Sequence, residues 1–220
     1  MSGEKRRRLS YPVRRVFLLL LGLWIMAVGI ALSIQAELGT TPISSVPYAL
    51  SLISGVSVGT TTILVNTVLI LLQIVILRRR FDWFQLLQFP AVLLFGTMID
   101  LAGLLVDPIP VPNYFMQWVL CALGIFCVAL GVSVEVEAGL VTTPGEGVVL
   151  SICQVAPVKF GNIKVSVDVS LVCISILLSL IFLGQLAGVR EGTLAAAVCV
   201  GLITKRTNKL LDRIGTVILK

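Results

Sequence analysis

The chain has 220 residues, 57% of them hydrophobic and only 13% charged, with a net charge of +6 and no histidine. A soluble domain carries about 25% charged residues, so a water-soluble enzyme, a disordered segment and a secreted disulfide scaffold are excluded, and an integral membrane protein is left. Without histidine there is no imidazole to act as base, proton relay or metal ligand.

At about 20 apolar residues per spanning helix, the length holds six or seven spans with short loops and no separate soluble domain. The N-terminal stretch MSGEKRRRLSYPVRR is basic, and the apolar run 16–36 follows it. That run exceeds the h-region of a signal peptide and lacks a cleavage site, so it reads as a first span with its N-terminus inside. Further long runs lie at about 60–77, 83–106, 114–134 and 165–183, with a weaker one at 192–204. Arg78, Arg79 and Arg80 close the second run, Lys159 and Lys164 precede the fifth, and Lys205, Arg206 and Lys209 follow the sixth. Six spans with both termini inside place all of these clusters in the cytoplasm. Positive charge is thus a topology signal facing anionic lipid rather than nucleic acid.

Arg190 is the awkward residue, on the outer side beside Glu191; a sixth span starting near Leu186 would have to shelter the pair inside protein. The tail 205–220 puts Leu210, Leu211, Ile214, Val217 and Ile218 at helical spacing opposite Lys and Arg, which suits an interfacial helix or a solvated tail. The five cysteines, Cys121, Cys127, Cys153, Cys173 and Cys199, form no CxxC pair and read as small buried hydrophobes. Trp83 and Trp118 read as interface anchors.

The sequence also repeats at an offset of 102 residues. Leu21-Gly22 matches Leu123-Gly124, Ala27-x-Gly29 matches Ala129-x-Gly131, and Ala36-x-Leu38-x-Thr40-Thr41-Pro42 matches Ala138-x-Leu140-x-Thr142-Thr143-Pro144. The first repeat covers 1–106, DPIPVPN (107–113) is the linker, and the second repeat covers 114–204, followed by the tail 205–220. Each half has a long span, a Thr-Thr-Pro triplet, a short apolar stretch (43–54 and 146–155) and two further runs. Stretches of ten to twelve residues cover about half of the hydrocarbon core at 1.5 Å per residue, so they read as half-helices that enter and return. Three spans per half then make the second half upside-down, the construction of many secondary transporters. The expected fold is all-α and polytopic, with about six transmembrane helices, two half-helices and two inverted repeats.

On the LGxW-type first helix, the LGTTP turn at 38–42 and its weaker second copy at 140–144, the chain resembles the small bacterial membrane proteins of the YczE/YyaS/YitT group. YitT-like relatives often carry a soluble C-terminal domain, so an end at Lys220 points to the shorter YczE-like branch. The resemblance implies a bacterial inner-membrane location and brings no binding or catalytic residues.

Site candidates therefore rest on physics. A half-helix starting after Thr-Thr-Pro has free backbone N–H groups and a positive dipole end. Pro42 and Pro144 suit the first turn, and Thr40/Thr41 and Thr142/Thr143 can cap it, which explains the motif without a ligand. If the N–H groups face a cavity, the same turn binds an anion or carboxylate. Ser44 and Ser45 add hydroxyls in the first copy, whereas Glu146 replaces Ser44 in the second and compensates the dipole. Asp168 matches Asn66 in the repeat, which suggests two sides of one pocket; alternatively Asp168 pairs with Lys164 one turn earlier. Asp100, deep in an apolar run, and Glu37, beside the first turn, are candidates for ion coupling. Glu135 and Glu137 sit near the corresponding point of the second half, so the acids flanking both turns fit a proton- or sodium-coupled site; the bland alternatives are an Asp100 near the outer headgroups and acids that mark span ends.

No nucleotide loop, metal spacing or nucleophile–base set is present, so the sequence predicts no enzyme, no cofactor and no metal. It predicts a secondary carrier for a small polar solute, an organic acid, sulfonate or zwitterion, bound where the two half-helices meet. Its partners would be that solute and the bilayer, with a homodimer allowed. The alternatives are a substrate-binding subunit of a larger transporter, and a non-transport accessory protein supporting a membrane-associated enzyme.

Overall fold

A computed structural model describes the backbone of residues 12–218 and the side chains of residues 13–208. Among the described residues there are eight α-helices, two short 3-10 segments and no strand. They are α1 (Pro12–Gln35), α2 (Pro42–Ser54), α3 (Val58–Leu77), α4 (Gln88–Val106), α5 (Tyr114–Ala138), α6 (Pro144–Val155), α7 (Phe160–Leu183) and α8 (Glu191–Ile218). The 3-10 segments, Arg78–Arg80 and Trp83–Leu87, join α3 to α4. Five stretches are long and apolar enough to cross a membrane: Val13–Gln35, Val58–Arg80, Trp83–Val106, Tyr114–Ala138 and Phe160–Leu183. The protein is a multi-pass membrane protein.

The element order repeats. Pro12 and Tyr114, Pro42 and Pro144, and Val58 and Phe160 open matching helices 102 residues apart, while Gln88 and Glu191 are 103 apart. The half-helix stretches emerge as the 13-residue α2 and the 12-residue α6, about 20 and 18 Å long at 1.5 Å per residue. Proline opens both, where its missing N–H costs nothing. The return through SGVSVG has a local cause, since Gly55 takes φ +71° and its N–H closes on the Ser51 carbonyl.

The frame is the α1/α5 pair, packed antiparallel through glycines. A Cβ at Gly22 would lie 2.9 Å from the Gly131 carbonyl oxygen, and one at Gly29 would lie 2.8 Å from that of Gly124. Such backbone approach is how membrane helices pack where both lipid and protein are apolar. Gly22 and Gly124 are repeat partners, as are Gly29 and Gly131, so each contact becomes the other at the 102-residue offset. α4 packs on α1 as α8 packs on α5, and each half-helix crosses over, α2 onto α7 and α6 onto α3. The main core, with Leu23, Met26, Phe95, Ile99 and Val128, fills the α1/α4/α5 junction.

Four expectations change. The sixth run is not a separate element: α8 runs unbroken from Glu191 to Ile218, carries Lys205 and Arg206 within it, and is not among the five stretches long and apolar enough to cross a membrane. The boundary at 205 is therefore no break in the helix; the side chains of Leu210, Leu211, Ile214, Val217 and Ile218, like residues 1–11, lie outside the described residues. The Arg190–Glu191 pair (3.7 Å) is not sheltered, its side chains being 48% and 42% exposed; the helix starts at Glu191 rather than near Leu186. Of the cysteines only Cys121 is buried, and Cys173 is exposed because α7 turns most of its surface outward.

Candidate functional site

The first Thr-Thr-Pro turn is closed off from solvent, with Thr40, Thr41, Ser44 and Ser45 all buried. Thr41 stands at the N-cap of α2 without a side-chain cap bond, contrary to the capping expected from sequence. Its hydroxyl donates instead to Ser44 Oγ at 3.0 Å, while the Ser44 and Ser45 N–H groups both turn back to the Thr41 carbonyl. The Thr40 N–H goes to the Gly188 carbonyl (3.1 Å). The expected row of free N–H groups from 40 to 45 thus shrinks to those of Thr41 and Ile43. The Thr40 hydroxyl, 1% exposed, finds no hydrogen-bond partner among the described residues. From the other half, Ser175 on α7 donates its hydroxyl to the Ser45 carbonyl (2.9 Å).

The second turn is held by a buried amide. Thr143, again without a side-chain cap bond, borders one small cavity together with Glu135 of α5. Gln73 on α3, fully buried, donates Nε2 to the Pro144 carbonyl at 3.1 Å and to Gln88 Oε1 at 3.2 Å. Gln73 and Ser175 are repeat partners, so each α3-type helix holds the first turn of the other half's half-helix. A small cavity lined by Gln88, Phe95, Glu135, Thr142 and Thr143 lies beside this turn.

The two tips touch. A Cβ at Gly145 would lie 3.0 Å from Ile43 Cδ1, and these two residues are themselves repeat partners. Ser44 and Glu146 therefore flank one junction on opposite halves. Glu146 lies within electrostatic reach of Lys164 and Asp168 on α7, which pair at 2.8 Å. Their first-half counterparts are Ser44, Thr62 and Asn66, so a neutral set in one half corresponds to a charged set in the other. Asn66 is buried on α3, two turns before Gln73 on the face that α6 packs against.

Asp100 and Glu37 stand apart from this junction. Asp100 spends both carboxylate oxygens on the start of α3, accepting from Ser57 Oγ and Gly59 N–H at 2.7 Å each. It lines a separate cavity of about 520 Å³ with Gln35, Ser57 and Asp107. Glu37 takes φ +55° in the turn after α1, and its carbonyl accepts from Arg190 Nη1 at 3.0 Å. Sequence reasoning passed over Gln73 and Gln88 and left Glu135 between a coupled-ion site and a span end. The available signal was a polar residue inside an apolar run, which needs a partner within the protein.

No solved structure matches the chain. Protein YyaS of Bacillus subtilis (strain 168), described as uncharacterized, is 26% identical over 125 residues, which are 56% of this chain and 61% of that protein. The match thus spans about three fifths of the relative's length. Residues 13–209, the whole helical frame with both Thr-Thr-Pro turns, match a family of unknown function (DUF6198), and the chain belongs to that family.

Proposed function

We propose that this protein is a secondary carrier for a small polar solute, an organic acid, sulfonate or zwitterion. It is built of two inverted halves with six spans, α8 up to about residue 204 being the sixth, and both termini face the cytoplasm of a bacterial cell. The observation that carries the reading is the contact of the α2 and α6 N-termini at Ile43 and Gly145. Antiparallel packing of the equivalent helices α1 and α5 supports inversion, and crossed half-helices are the way carriers build a site at a repeat interface.

The site is polar on one side and charged on the other. The α2 end offers the Thr41 and Ile43 N–H groups, the Thr40 and Ser44 hydroxyls and the positive end of a helix dipole, with no acid among its own residues 40–45. The α6 end carries Glu146, with Asp168 beside it on α7. An acidic group rests on the first, and a positive group or coupling ion on the second, when the closed junction opens. Ser45, Asn66, Thr142 and Thr143 complete the walls.

Thermal unfolding of detergent-purified protein with succinate, glutamate, taurine and glycine betaine tests the reading. Binding to the folded state alone adds about 2.7 kcal/mol at a hundredfold excess over Kd. The expected result is a Tm rise with at least one solute, lost in Thr41→Val and in Asp168→Asn. A rise that survives both substitutions, or none with any solute across a wider panel of acids and zwitterions, would overturn it in favour of an accessory protein.

A further inference from the structure

We propose that the cavity where α1, α3 and α4 meet is a second binding site, for a monovalent organic cation whose ammonium group rests on Asp100 and whose apolar body rests on the cavity floor. The site lies apart from the α2/α6 junction and does not depend on the carrier reading. Its size, about 520 Å³, falls within the range of about 300–1,000 Å³ that small-molecule pockets occupy. The floor is apolar, with Ala31 of α1 and Ile99 and Val106 of α4 all buried. The rim carries the exposed Ser57, Leu104 and Asp107. Asp100, half-buried, lines the same cavity.

The polar groups of this cavity are fixed by the protein itself. Asp100 Oδ2 accepts from Ser57 Oγ and Oδ1 from the Gly59 N–H, at 2.7 Å each. Gly59 in turn is locked against Gly96, where a Cβ would meet the Gly59 carbonyl at 2.6 Å. A carboxylate has about four acceptor positions, so about half of them stay open for a cation. Gln35 donates Nε2 to the carbonyls of Asp107 (3.2 Å) and Ile109 (3.1 Å). That pairing orients its amide and leaves Oε1 as a further acceptor. Two carboxylates and an amide oxygen thus belong to the lining, and among the described residues no lysine or arginine does. Neither carboxylate forms an ion pair among the described residues. Negative charge between low-dielectric walls concentrates cations. A phospholipid fits less well, since its phosphate would meet Asp100 and Asp107 with no cation to receive it.

The second half does not repeat this site. At the 102-residue offset Leu202 stands for Asp100, while Lys159 and Lys205 stand for Ser57 and Gly103. The acid is gone, and cations replace neutral groups. Gly103 also supplies the means to close the cavity. It lies within α4, and a Cβ there would meet no heavy atom within 4 Å. Gly103→Leu can therefore fill the space without moving the backbone or the bonds of Asp100 to α3.

Full-length protein in a neutral maltoside detergent is titrated with phenethylammonium and with benzyltrimethylammonium. Bound cation is measured by equilibrium dialysis against empty micelles and counted by native mass spectrometry. The expected result is one cation per chain, with 3-phenylpropanol and 3-phenylpropionate, similar in shape but neutral and negative, failing to compete. Asp100→Asn should weaken binding about tenfold or more, the loss of one charge-assisted hydrogen bond. Gly103→Leu should abolish binding while its Tm stays close to that of the wild type, so that the loss reads the cavity and not the fold. No binding of either cation, binding that survives Gly103→Leu, or equal displacement by 3-phenylpropanol overturns the assignment. A phospholipid retained through purification that neither cation displaces gives the cavity to lipid and overturns it as well. Cation binding lost in Asp168→Asn but kept in Gly103→Leu would move the cation to the α2/α6 junction, sinking this site and favouring the carrier reading. Binding lost in Gly103→Leu, with no Tm rise from any acid or zwitterion, would uphold this site and sink the carrier reading alone.

Discussion

The two halves place the same elements in the same order, yet their third and fourth helices behave differently. α3 and α4 pack closely through Gly59 and Gly96: a Cβ at Gly96 would meet the Gly59 carbonyl at 2.6 Å, and one at Gly59 would meet the Gly96 carbonyl and the Asp100 carboxylate. Among the described residues α7 and α8 make no comparable packing. At the equivalent positions stand Gly161, with open space where a Cβ would be, and the exposed Val198 and Leu202. A repeated pattern of runs and turns therefore fixes where helices start, while a few small and polar side chains decide which of them touch. The close pair belongs to the half whose turn is neutral, and the parted pair to the half that carries Glu135, Glu146 and Asp168.

The largest effect should come from filling the close contact. Gly59→Val or Gly96→Val forces α3 and α4 apart and should cost about 3 kcal/mol or prevent folding, the upper range for overpacking. Gly161→Val should stay within about 1 kcal/mol, the β-branched penalty offset by the loss of a helical glycine. Equilibrium unfolding in mixed micelles reads both. Equal losses at Gly59 and Gly161 would mean that the halves pack alike and the asymmetry is not built into these residues.

Next comes the polar tie on each half-helix. Gln73→Leu strands the Gln88 amide and the Pro144 carbonyl in a buried place and should cost about 1–3 kcal/mol. Ser175→Ala removes a single bond to the Ser45 carbonyl and should cost about 1 kcal/mol. If the carrier reading holds, the first should also weaken solute-induced Tm shifts, since it loosens the α6 tip. A larger loss for Ser175→Ala than for Gln73→Leu would reverse the ranking of the two grips.

These contrasts mark what the sequence could carry. The Thr-Thr-Pro triplets, the prolines opening α2 and α6, and the 102-residue offset are local signals, and the helices start where those signals put them. Gln73 was harder to place because one of its partners is remote: it lies 71 residues from Pro144 in sequence. Periodicity gave no help with which face of a span turns inward. In a soluble helix the buried stripe is apolar and the other face polar, but in a bilayer both are apolar, so α3, α4, α5 and α7 show no stripe that separates Glu135 from a lipid-facing residue. The end of the sixth run was hidden for a related reason, since α8 runs on through Lys205 and Arg206 with no break in backbone structure.

Asp100→Asn sharpens the comparison at a smaller scale. The substitution keeps an oxygen that can accept from Ser57 or Gly59 but removes the charge at the α3 N-terminus. The expected loss is about 1 kcal/mol, the range for an acid at a helix start. The α7 start has no such partner, because Leu202 occupies the matching place, and Leu202→Asn should leave stability within about 0.5 kcal/mol.

The smallest effect should come from the Lys164–Asp168 pair, and its direction is informative. Its side chains are 27% and 17% exposed and sit one turn apart on one helix; pairs of that kind contribute about 0.3–0.5 kcal/mol. Lys164→Met should therefore barely move unfolding. It does remove the positive charge that faces Asp168 and Glu146, leaving two acids with no cation between them. If that end of the site receives the positive group of a zwitterion, Lys164→Met should strengthen the Tm shift with glycine betaine relative to succinate, while Asp168→Asn should do the reverse. The same ordering of solutes in both variants would place Lys164 and Asp168 in the scaffold of α7, and the neutral turn at α2 would then have to recognise solute by its acidic group alone.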